Sequence, residues 1–176
     1  MCMSSGIRKE IHSILEKSGS ELSVKVGAWL AIRDPVAFRA AELEIAEMGR
    51  DVADAVTALV LKHLVGDPEL QAQASVEARQ EGHLRHGGTR EVGVTLLGGS
   101  EVRLNVEYVR PNRRGLPGRP RKVGKRGKGG AGFYPVLAML GVWFGVTPAL
   151  GGEVCRQVAD SDSLRAGRAA LARRGN

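Results

Sequence analysis

Between Arg110 and Gly132 the chain carries nine basic residues, Arg110, Arg113, Arg114, Arg119, Arg121, Lys122, Lys125, Arg126 and Lys128, with no acid and mostly glycine and proline between them. Such a stretch repels itself and has almost nothing to bury, which predicts a segment that is disordered without a partner. Any core must therefore be built from residues before Arg110 and after Gly132. A hydrophobic content of 43% over 176 residues is enough for that.

The rest of the charge is divided unevenly. Residues 1–89 hold ten basic and thirteen acidic side chains, residues 90–176 sixteen and six, so the net charge of +7 comes from the second half. A pI near 9.9 favours a polyanionic partner, because Lys and Arg release condensed counterions when they meet phosphates. Charge alone does not separate DNA from RNA. Two cysteines, Cys2 and Cys155, make no disulfide framework, and the N-terminus lacks the order of a signal peptide. The expectation is a cytoplasmic protein. The apolar run from Phe133 to Val146 is shorter than the roughly 20 residues of a membrane crossing and contains Pro135, so it reads as core.

Local patterns predict an α+β chain. Ile7, Ile11, Ile14 and Leu15 share one face of a short helix over residues 4–18, which Ser18, Gly19 and Ser20 are expected to interrupt. Asp34 followed by Pro35 opens a long helix that Gly66, Asp67 and Pro68 end, closing a helical region over 1–68. Phe38, Ile45, Val52 and Leu59 recur every seven residues, with Ala41, Met48 and Ala55 between them. This stripe suits either a homodimeric coiled coil or packing inside one domain. Residues 69–89 read as a polar, loosely helical linker. Over 90–109 Val92, Val94 and Leu96 alternate, Gly98 and Gly99 can supply two positive φ angles, and Val102, Leu104, Val106 and Tyr108 alternate again, which predicts a β-hairpin. After the basic loop, residues 133–176 read as a small helical cluster: Phe133 to Gly145, Thr147 to about Ala159, and a third helix through Arg174.

Few residues suggest chemistry beyond charge. His83 and His86 are too few for a zinc site, and neither a metal nor a cofactor is expected. Cys155 reads as a buried structural thiol, and Trp143 and Phe144 read as core. Asp160 and Asp162 sit where helix capping explains them. Leu116-Pro117-Gly118-Arg119-Pro120-Arg121-Lys122 resembles an AT-hook, in which an extended strip lays arginines into a narrow minor groove, although Pro117 stands where that motif has a basic residue.

In chain order come Thr95-Leu96-Leu97-Gly98, Val102-Arg103-Leu104, Tyr108, Phe133-Tyr134-Pro135, Leu140-Gly141 and Thr147-Pro148-Ala149-Leu150. From about Thr89 this order resembles the N-terminal region of insertion-sequence transposases of the ISKra type. That family follows its second strand with Tyr-x-Cys-x-x-Cys, whereas here Tyr108 is followed by Arg110 and Arg113, so the resemblance implies a lost zinc knuckle. The family continues into a helix-turn-helix and a catalytic domain with an acidic triad, and this sequence ends at Asn176. The resemblance implies a DNA-binding N-terminal fragment without its own catalysis, holding DNA, AT-rich duplex included, through the basic loop. An RNA-binding accessory protein and a helical dimerisation module are the alternatives.

Overall fold

The structure, a computed structural model, describes residues 5–80, 84–111, 132–161 and 165. Its elements are α1 (Ser5–Trp29), α2 (Pro35–Gly66), α3 (Pro68–Gln80), β1 (Leu84–Thr95), β2 (Glu101–Pro111), α4 (Pro135–Met139) and α5 (Pro148–Ala159). The α+β class is as expected, while several boundaries differ.

Helix α1 does not stop at Ser18-Gly19-Ser20. The Ser20 hydroxyl donates to the Glu16 carbonyl at 2.9 Å, so the serine satisfies itself on the helix and the turn continues. What offsets the glycine is docking on α2, where Lys25 and the Trp29 indole N–H both donate to Glu44. These two donors, Lys25 foremost, hold the Glu44 carboxyl below its ordinary range, so this tie is present above that range and is lost on acidification. Asp34 caps α2 as expected, its carboxylate accepting from the Ala37 amide at 2.9 Å. The heptad stripe is divided. Ile14, Lys17, Ser18 and Glu21 of α1 share a cavity with Met48, Asp51, Val52 and Ala55 of α2, whereas Phe38 and Ile45 are exposed.

The segment expected as a loosely helical linker over 69–89 holds a regular helix, α3, packed against the core, and the start of β1. Asp67 ends α2 through its backbone N–H to Leu64 and begins α3 by accepting from the Glu69 amide at 2.8 Å. Ala74 and Ala78, four apart, bury one narrow face of α3. The hairpin is longer than expected, with Val92 opposite Leu104 and Val94 opposite Val102. Its apolar face lies under Leu61 and Val65 of α2, Ala74 of α3 and Val136 and Leu137 of α4, and each buried valine or leucine contributes about 1.5–3 kcal/mol.

The tip differs in kind from the two-glycine turn expected. Gly99 alone has positive φ, at 99°, and the Gly99 amide donates to Leu96 across a three-residue loop that ends in a left-handed glycine. Gly98 is needed for space: an added Cβ would lie 2.7 Å from Asp54. The Asp54 side chain, 4% exposed, accepts from the Gly98 amide at 2.9 Å and the Ser100 amide at 3.0 Å.

The run from Phe133 to Gly145 is not one helix. Gly141, Phe144 and Gly145 all have positive φ, which an α-helix does not allow, so only Pro135–Met139 is helical. The chain then turns back, and Gly145 and Thr147 bond both sides of Thr95 on the edge of β1. Thr147-Pro148 opens α5 as expected, though the Thr147 side chain makes no capping bond. The third helix expected through Arg174 lies outside the described residues, apart from Ser161 and the helical Arg165. Among the described residues no helix is long and apolar enough to cross a membrane.

Replacing Asp54 with alanine strands the Gly98 and Ser100 amides and should cost about 2–3 kcal/mol, since bonds to a charged acceptor are the stronger kind. Asp54→Asn keeps one acceptor oxygen and should cost less. Urea unfolding measures both, and an Asp54→Ala midpoint equal to that of the parent protein would contradict the assignment.

Candidate nucleic-acid interface

Strand β2 delivers the chain to the basic segment and residues Gly132 and Phe133 take it back. The amide and carbonyl of Val109 exchange 3.0 Å hydrogen bonds with those of Phe133, an antiparallel bridge that closes the excursion at its base. Both ends of the segment thus leave the scaffold side by side.

Tyr108 organises this neck. Its hydroxyl accepts from the Gly132 amide at 3.0 Å, its ring lies 5.3 Å from that of Tyr134, and the Arg90 guanidinium sits 3.8 Å from its centroid. Two glycines make room for it. A Cβ at Gly87 would meet the ring at 2.6 Å, and one at Gly132 would collide with both the Val109 carbonyl and the Tyr108 ring. Gly88, with φ of 88°, lies within the register shift between His86 and Thr89, where β1 bulges opposite Tyr108.

Of the nine basic residues expected to touch nucleic acid, the structure describes Arg110 alone, exposed at the end of β2. Arg113, Arg114, Arg119, Arg121, Lys122, Lys125, Arg126 and Lys128 lie outside the described residues, as does the Gly118-Arg119-Pro120 strip. Arg85 and Arg90, also exposed, stand beside the neck. Sequence reasoning missed both, Arg85 inside the stretch expected as linker and Arg90 at the first residue of the expected hairpin. The glycine doublet at 87–88 was the available signal, since a pair of glycines within a strand marks a bulge as readily as an end.

The opposite face of the hairpin has a different character. Arg103 is held by Glu91 at 3.4 Å and Glu101 at 3.9 Å, and the Glu101 carboxyl occupies the space that a Cβ on Gly93 would take. Acids there repel phosphates, so this face does not extend the basic surface.

Other sequence candidates are resolved individually. His86 bonds Glu107 at 2.7 Å from within β1 rather than from a loop, and His83 lies outside the described residues. Among the described residues no three His, Cys, Asp or Glu side chains are gathered for a metal ion. Glu153 and Asp160 both bond Arg156. Cys155 is exposed, not buried, because α5 has no residue buried. Trp143 and Phe144 are also exposed, Phe144 fully, since the left-handed turn at Phe144 directs them away from the core. No protein-family model, curated protein or solved structure matches this chain.

The neck makes a graded prediction. Tyr108→Phe removes one acceptor and should cost about 1 kcal/mol, whereas Gly132→Ala drives a methyl group into backbone and should cost more. Hydrogen exchange at the Val109 and Phe133 amides reports it; equal protection in both variants and the parent protein would show that these contacts do not hold the neck closed.

Proposed function

We propose that this chain is the DNA-binding part of an insertion-sequence transposase of the ISKra type, acting in the cytoplasm and holding DNA through the basic segment from Arg110 to Lys128. It binds and does not cut. The observation that carries this reading is the density of that segment, nine basic residues with no acid, pinned at its base by the Val109–Phe133 bridge. A pinned polycation engages several phosphates from one attachment point, and its first contact raises the local concentration of the rest. Within the segment Gly118-Arg119-Pro120 lies along the minor groove of AT-rich duplex, where the guanine amino group of G·C pairs would obstruct it.

Titration of duplex at several salt concentrations tests this. If about five phosphates are met, log K should fall against log salt with a slope on the order of −4 to −5. Alanine at Arg119, Arg121, Lys122, Lys125 and Arg126 should flatten the slope, and AT-rich duplex should outcompete GC-rich duplex at equal salt. A slope unchanged by the five substitutions would move the site elsewhere.

Self-association through the stripe Phe38, Ile45, Val52 and Leu59 is the second part of the proposal. Val52 already lines a cavity with α1 and Leu59 is half-buried, leaving Phe38 at 57% and Ile45 at 47% exposed, one heptad apart, as the portion that a second copy covers. Sedimentation equilibrium should find a dimer that Phe38→Glu with Ile45→Glu converts to monomer. A parent protein that is monomeric throughout the accessible concentration range removes this part.

A further inference from the structure

We infer that Arg85, Arg90 and Arg110 form a phosphodiester-binding cluster on the folded scaffold, at the mouth of the basic segment, which fixes the DNA backbone before the segment engages it. The inference rests on the DNA-binding reading above and adds Arg85 and Arg90, which lie outside the basic segment, to its first residue.

Its basis is the register. Val106, Tyr108 and Arg110 alternate along β2 and so share one face of the ribbon, and Arg90 pairs with Val106 while Arg85 pairs with Arg110. Arg85 and Arg90 are five apart, a spacing that in a regular strand puts them on opposite faces. The bulge absorbs the difference: Gly87 and Gly88 together stand opposite Tyr108, and β1 resumes in phase on the far side. Three arginines thereby share the face of the ribbon that carries Tyr108, and Arg90 is held there by its ring.

The pairing of Arg85 with Arg110 has no internal justification. Like charges directly opposite in an antiparallel ladder are destabilising, and among the described residues none of the three arginines has an acidic partner. Glu107, the acid nearest Arg110 in sequence, is engaged by His86 and Ser75, and Glu91, next to Arg90, faces Arg103. All three arginines are exposed. A phosphodiester supplies the missing negative charge, and its two free oxygens suit the planar fork of arginine. The position is also suited to it, since Arg110 is the residue from which the basic segment departs.

The test sets stability against binding. Arg85→Glu gives Arg110 an internal partner, so the melting temperature should rise while the salt slope of duplex binding falls by about two, one contact removed and one diverted. Arg85→Ala should leave melting unchanged or slightly higher and reduce the slope by about one. Both are compared with the parent protein and with the five-alanine variant of the basic segment. Duplex binding unaltered by either Arg85 variant, with binding weakened in the five-alanine variant, overturns the cluster and leaves the DNA-binding segment standing. Loss of slope in the Arg85 variants alone supports the cluster and displaces the segment, and a parent protein that binds no duplex at low salt overturns both.

Discussion

Asp54 lies on α2 where that helix meets the tip of the hairpin. Its carboxylate is buried, has no basic partner among the described residues, and is stabilised by the backbone amides of Gly98 and Ser100 at the hairpin tip. A charge so placed is tolerable only while those two amides face it. The tip must therefore keep its conformation, Gly98 must lack a side chain, and the apolar face of the ribbon must lie under Leu61 and Val65. One end of the ribbon is thus anchored to the helices. The other, eight residues along β2 and about 27 Å away, carries the neck.

This division of labour along one hairpin separates stability from charge. The half nearest Asp54 is valine and leucine on its inner face, and its outer face binds Arg103 between two glutamates. The half nearest the basic segment replaces that packing with Tyr108, Tyr134 and three arginines. That half gathers its arginines on a surface shaped by aromatic packing, and among the described residues no acid is paired with them.

Much of the fold was legible because its signals are local. Alternation in Val92-x-Val94-x-Leu96 and Val102-x-Leu104-x-Val106 has a period that only a strand satisfies, and Asp34-Pro35 and Thr147-Pro148 mark helix starts by what Pro lacks. Helix α3 read as no more than a loosely helical linker because it buries only two alanines, Ala74 and Ala78, which leave no apolar stripe in a polar segment. The run after Phe133 escaped for the opposite reason: an unbroken apolar stretch has no period, and its course was decided by positive φ at Gly141, Phe144 and Gly145. The charge of the site was visible residue by residue. Its mounting was not, since the contact between Tyr108 and Gly132 spans 24 residues and depends on the absence of a side chain.

The bulge at Gly87 and Gly88 imposes a constraint of a different sort on this part of the chain. Elsewhere in the ribbon a position is defined by its chemistry, and a similar side chain can take its place. Between Arg85 and Arg90 what matters is a count, because one residue more or fewer reverses the face of everything on one side. A lineage could therefore keep every charge in this region and still lose the arrangement through a single in-frame codon. Insertions and deletions, more than substitutions, are the changes to which this edge of the molecule is exposed.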